Sequence, residues 1–136
     1  MIINLCYKQY PAKMSLGAME YYDEATGRDL WGDLLKYLEM WQKLSGGTII
    51  ELTAGMHEVM SFKNASHIFH SVIRQEDSSR SLAEIRDAMF AVGWLPTDDD
   101  TNMAEPWPLV MYKVALDINK QMSEFSKKKR LANLGQ

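Results

Sequence analysis

Apolar residues recur every three or four positions through most of this chain, between polar breaks rich in Gly, Ser, Asp and Pro, which is the pattern of a helical domain. The start differs. Ile2, Ile3, Leu5 and Tyr7 interleave with Asn4, Cys6 and Lys8, and Gln9-Tyr10-Pro11 prepares a second stretch. Residues 2–14 therefore predict a small β-hairpin or an extended arm, with Pro11 on an edge because it has no N–H to give a ladder.

Ser15 can cap a helix over 16–26, with Leu16, Ala18, Met19 and Tyr22 on one side and Gly27 as its stop. Asp29 caps a second, whose core face is Leu30, Leu34, Tyr37, Leu38, Trp41 and Leu44 and which ends at Ser45-Gly46-Gly47. Residues 48–60 continue helically in spite of the β-branched opening Thr48-Ile49-Ile50. The spacing of Phe62, Ala65, Ile68, Phe69, Val72 and Ile73 predicts a helix over 62–75 with Asn64 as a possible cap. Ser81-Leu82-Ala83-Glu84 has the form of a capping box and opens a helix that Gly93 ends. After an acidic, proline-punctuated connection from Trp94 to Pro108, the stripe Val110, Val114, Ile118, Met122 and Phe125 marks a last helix, with Pro108 at its first position. The fold class is mainly α, about five amphipathic helices behind a short N-terminal β-hairpin or extended arm. Residues 1–126 make one domain, and 127–136 a basic, flexible tail.

A chain of 136 residues, 46% hydrophobic and 24% charged, fits one globular domain able to bury roughly 65–70% of its unfolded surface. Cys6 is the only cysteine, which excludes an internal disulfide, and an inert thiol buried in an apolar strand is its expected state. No run approaches the roughly 18 apolar residues of a membrane span, and the start lacks the order of a signal peptide, so a cytoplasmic, membrane-free protein is expected. The net charge of −3 is uneven: Lys127, Lys128, Lys129 and Arg130 stand together, leaving eleven basic against eighteen acidic side chains before them. An acidic body makes nucleic acid an unlikely partner.

Candidate chemistry is sparse. His67 and His70 share a helical face at metal-ligand spacing but lack a third ligand, since His57 belongs to another segment. Asp98-Asp99-Asp100 lacks the alternation of a calcium loop and reads as a solvated acidic loop. No Gly-x-Ser-x-Gly, phosphate-loop or dinucleotide fingerprint is present. The expectation is a protein without enzymatic activity, metal or cofactor. What stands out is ten Met, four Trp, six Tyr and four Phe. Most of these read as core, but some also suit an adaptable binding surface. Trp94 and Trp107 bracket the acidic connection, where exposed anchors are plausible. Trp41, Trp94, Trp107, Met111 and Tyr112 are the expected contact residues for a partner or a second copy, with Lys127, Lys128, Lys129 and Arg130 as a basic tail.

The order of a hairpin-like start from Ile3-Asn4-Leu5 to Tyr10, a helix holding Leu16-Gly17-Ala18-Met19-Glu20 and closing at Thr26-Gly27, and later helices including Ser81-Leu82-Ala83-Glu84-Ile85 resembles the tail assembly chaperones of long-tailed bacteriophages. The likeness is diffuse over most of the chain and most specific in residues 2–27. Two departures stand out. Cys6-Tyr7 occupies the place where many members carry a turn Gly, which argues against a tight turn, and the 94–108 connection has no counterpart. The resemblance implies a mainly helical protein that binds the tape measure protein, keeps it soluble and assists polymerisation of the major tail protein. It further implies self-association into rings or open spirals in the host cell cytoplasm, absence from the mature virion, and a longer product made by translational frameshifting. Lysine codons are AAA or AAG, so Lys127-Lys128-Lys129 demands nine consecutive purines, room for a slippery heptamer; a plain helix-ending basic tail is the simpler reading. The expected mechanism is capture of a helical client in apolar grooves repeated along an oligomer. The alternatives are a structural head–tail connector or tail-completion protein of the virion, a nucleic-acid adaptor using the basic tail, and a metal enzyme using His67 and His70.

Overall fold

Leu5 stands opposite Lys8 in the antiparallel pair formed by β1 (Ile2–Leu5) and β2 (Lys8–Pro11), which leaves Cys6 and Tyr7 alone to make the turn. Both take positive φ, 50° and 65°, as a two-residue turn of the I′ kind requires. The tight turn thus forms without glycine, correcting the expectation drawn from Cys6-Tyr7. Cys6 accordingly lies partly exposed at the turn and not buried in a strand.

The computed structural model describes residues 1–44, 46–91 and 105–134, and six helices follow the hairpin. They are α1 (Leu16–Thr26), α2 (Leu30–Lys43), α3 (Ile49–Val59), α4 (Phe62–Ile73), α5 (Leu82–Ala91) and α6 (Trp107–Leu134). Local chemistry sets most of their ends. Ser15, Asp29 and Thr48 each accept a backbone N–H from the first turn, and Gly27, at φ 70°, closes α1 in the left-handed region. The cap of α4 is Ser61, which accepts from the Asn64 N–H, so Asn64 lies inside the helix it was expected to cap. Ser81 accepts from the Glu84 N–H, but the Glu84 carboxylate turns to Lys8 and Arg80 rather than back to Ser81, so only half of a capping box forms. The third helix forms despite its β-branched opening because Thr48 supplies the cap and Met56 and Met60 bury at its far end.

The centre of the molecule is α4, buried without a break from Ala65 to Ile73. Helices α1 and α5 pack against it, and the hairpin is tied to it by the Lys13 N–H bonding the Val72 carbonyl at 2.9 Å. Helix α2 in turn packs on α3 and α6, and α6 closes over β1. Full burial of side chains such as Leu34, Ile68 and Phe69 contributes roughly 1.5–3 kcal/mol each.

Two ionic latches join the elements. Arg28 donates to both carboxylate oxygens of Asp33 at 2.7 Å, and the Tyr22 hydroxyl donates to the same carboxylate at 2.6 Å, joining α1 to α2. Burial of Asp33 opposes its ionisation, but the Arg28 and Tyr22 hydrogen bonds outweigh that and hold its pKa below the ordinary carboxylate value. Glu84 on α5 pairs with Lys8 of the hairpin and with Arg80. Burial and the neighbouring Glu84 together push the Tyr10 phenol up to about 12.

Helix α6 runs on to Leu134, so Lys127 to Arg130 lie on a helical backbone.

Candidate functional site

Trp41 on α2 and Tyr112 on α6 stack with ring centroids 4.7 Å apart and planes 29° from parallel. The packing beneath fixes this pair. Tyr37, one turn before Trp41 and wholly buried, meets the indole edge-on at 6.3 Å, and its hydroxyl donates to the Pro108 carbonyl at 2.7 Å. That bond ties the middle of α2 to the first turn of α6 across 71 positions of sequence. Burial pushes the Tyr37 phenol well above its ordinary pKa, so it stays a donor at any physiological pH.

The stacked rings floor an open groove of about 660 Å³ between α2 and α6, walled by Leu38, Leu44 and Leu116, with Gln42 and Asn119 at its rim. Leu116 is 45% exposed. An aromatic floor, aliphatic walls and two neutral amides suit the apolar face of a helix, with hydrogen bonds available at the edge.

The expected contact residues divide. Trp41 and Tyr112 are brought together and partly exposed. Trp107 is 1% exposed and Met111 fully buried, so neither lies on the surface. The reason is that Pro106-Trp107-Pro108 begins a helix instead of ending a loop: Trp107 packs edge-on against Phe62 of α4 at 6.2 Å. The buried face of α6 also takes in Met111 and Ala115 beside Val110, Val114 and Ile118, and is broader than a single stripe. Trp94 and Asp98-Asp99-Asp100 lie outside the described residues. Lys127 is exposed on α6, and Lys128, Lys129 and Arg130 follow on the same helix.

Sequence reasoning missed Leu116 and the hydroxyl of Tyr37. The signal for Leu116 was present, as an apolar residue out of register with the Val110, Val114, Ile118 series. Nothing in the sequence announced that Tyr37 would reach Pro108.

His67 and His70 share the face of α4 as their spacing predicts, but each faces different partners. His70 Nε2 donates to the Arg80 carbonyl at 2.8 Å, leaving Nδ1 to accept from the Tyr21 hydroxyl at 3.2 Å. His67 Nε2 faces an Arg86 guanidinium nitrogen at 3.4 Å and accepts from it, so its proton sits on the buried Nδ1. Burial first, then the Arg86 charge, lowers the pKa of His67. Both rings thus belong to a packed helix, each with its own partners. Among the described residues no group of three His, Cys, Asp or Glu side chains is placed to hold a metal ion, and no helix is long and apolar enough to cross a membrane.

Comparison with known proteins gives no match to a family model, to a curated protein or to a solved structure.

Proposed function

We propose that this chain is a non-catalytic assembly chaperone of the bacteriophage tail, which holds an apolar helical segment of its client, the tape measure protein, in the groove between α2 and α6. The observation that carries the reading is the Trp41–Tyr112 stack, a partly exposed aromatic surface between two helices that the Tyr37–Pro108 hydrogen bond ties together. Further support comes from residues 2–27, where the hairpin and the capped helix α1 fall in the order that the resemblance implies. The client's helix would bury apolar side chains against the stacked rings and Leu116, while Gln42 and Asn119 accept or donate at the rim. Such contacts are individually weak, and repetition along a long client adds them through effective concentration. The protein would act in the host cytoplasm and leave before the virion is complete.

The test is expression of the N-terminally tagged gene with its native downstream DNA, beside a version with the Lys127 to Lys129 codons synonymously recoded, together with mass spectrometry of purified virions. A minor longer product that disappears on recoding, and absence of the chain from virions, support the reading. Presence of the chain at stoichiometric level in virions overturns it in favour of a connector or tail-completion component.

A further inference from the structure

The two edges of the hairpin differ in what they can offer a further strand. Met1 and Ala12 exchange both backbone hydrogen bonds, at 2.9 and 3.0 Å. Bonded and open pairs alternate along an antiparallel ladder, so the register makes Ile3–Tyr10 and Leu5–Lys8 the next bonded pairs. The N–H and C=O groups of Ile2 and Asn4 therefore point outward from β1, and those of Gln9 and Pro11 outward from β2. Pro11 has no N–H, and the Lys13 N–H just beyond it is taken by the Val72 carbonyl, so the β2 edge is blocked. The β1 edge carries neither proline nor lysine to protect it and presents two complete donor–acceptor pairs. Among the described residues none of these four groups has a hydrogen-bond partner, and both Ile2 and Asn4 are exposed.

Helix α6 supplies a wall beside this edge. Val110, Lys113, Val114 and Asp117, spaced i, i+3, i+4 and i+7, form one face of the helix and line with β1 an open groove of about 610 Å³. The Trp41–Tyr112 groove uses the opposite flank of α6, through Tyr112, Leu116 and Asn119, and the two grooves share no residue. Lys113 is engaged by Glu105. Asp117 is half-buried and forms no ion pair with a described residue.

We propose that β1 is the docking edge for an extended, basic segment of a partner polypeptide, which adds a third strand to the hairpin and sets a Lys or Arg side chain beside Asp117. The free backbone groups select an extended occupant, because a helix satisfies its own backbone and has nothing to give Ile2 and Asn4. Charge selects a basic partner over a second copy. Residues 1–126 hold eleven basic against eighteen acidic side chains, so two bodies repel, and β1 itself carries no cation to bring to Asp117. Side chains of an added strand alternate between its faces, so an apolar residue opposite the exposed Ile2 and a basic one on the alternate face complete the recognition. This inference does not rest on the proposed function, since the edge and its wall involve none of Trp41, Tyr112 and Leu116.

The probe is a capped peptide, Thr-Val-Lys-Val-Lys-Val-Thr, titrated into the full, untagged chain, with amide hydrogen exchange read residue by residue by NMR. In the free chain the Ile2 and Asn4 amides exchange rapidly at every protein concentration, while the Ile3 and Leu5 amides are protected. The peptide binds in the submillimolar range and slows exchange at Ile2 and Asn4. N-methylating either its Val amides or its Lys amides separates the two faces of its backbone: the set that meets β1 weakens binding roughly tenfold or more, and the other set leaves it unchanged. Asn4→Pro removes an edge donor that the hairpin does not use and weakens binding to a similar extent. Asp117→Asn, or Glu in place of Lys in the peptide, weakens it roughly threefold. Because the methylated peptides leave the protein unaltered, the test stands even where Asn4→Pro impairs folding. Absence of binding at millimolar peptide overturns the proposal, as does binding indifferent to both methylated sets. Binding indifferent to Glu in place of Lys overturns the choice of a basic segment. Protection of Ile2 and Asn4 in the free chain also overturns the proposal: protection that grows with concentration gives the edge to a second copy, and constant protection shows it paired within the molecule.

Discussion

Trp41 and Tyr112 meet face to face across the seam of α2 and α6, 4.7 Å between ring centroids, and the same contact both closes the seam and lines the groove above it. A stacked aromatic pair contributes about 0.5–1.5 kcal/mol beyond its buried area. A double-mutant cycle of Trp41→Leu and Tyr112→Leu, followed by urea unfolding, should return a coupling energy of that size. Strictly additive single effects would mean that the rings merely lie near each other.

Asp33 is the charged centre of the α1–α2 junction. Asp33→Asn leaves Arg28 and Tyr22 facing a neutral amide, and the expected loss is about 2–3 kcal/mol, less than for a sealed ion pair because Arg28 is 43% exposed. The pH dependence follows from its direction of shift. A carboxyl whose folded pKa is depressed stabilises above its unfolded value of about 3.9, and that stabilisation disappears as pH falls through the folded pKa. Urea midpoints of the wild type should therefore decline over that acid interval more steeply than those of Asp33→Asn.

His67 acts at milder pH. Its folded pKa is depressed below the ordinary value of about 6.5, so the unfolded chain takes up the proton first and stability falls as pH drops from 7 towards 5. The slope from one such group cannot exceed about 1.4 kcal/mol per pH unit. His67→Leu should flatten this part of the urea midpoint profile, whereas an unchanged profile would place the titration elsewhere.

The turn at Cys6 and Tyr7 holds two residues other than glycine at positive φ. Cys6→Asn with Tyr7→Gly supplies the pair that such turns favour, and a gain of roughly 1 kcal/mol is expected, read as a rise in Tm. A lower Tm would show that the Tyr7 side chain contributes more than its backbone costs.

The helices were legible because their ends carry their own chemistry. Ser15, Asp29, Gly27 and the Gly46-Gly47 break can be read without knowing the packing, and the structure places helix boundaries beside all of them. The site was half legible. Trp41 lies on the core face of a regular helix and Tyr112 beside a regular stripe, so both could be placed, but exposure is a tertiary property. Trp107 shows the limit: two flanking prolines suggest a loop, yet Pro106 and Pro108 sit at a helix start, and the ring turns inward to Phe62. The cap of α4 was misassigned because Ser61 and Asn64 have the same local chemistry, and only the φ of −73° and ψ of 159° at Ser61 separate them. The continuation of α6 to Leu134 was not legible because the apolar stripe that periodicity detects ends at Phe125.

The most direct measurement concerns the groove. Leu116 is 45% exposed and outside the buried face of α6, so Leu116→Glu leaves the fold intact while putting a charge beside the Trp41–Tyr112 stack. The tape measure protein would be co-expressed with the wild type or with Leu116→Glu, and its soluble fraction compared. The account predicts that the wild type keeps the client soluble and that folded Leu116→Glu lets most of it precipitate. Equal solubility with both proteins would contradict the groove as the site of capture.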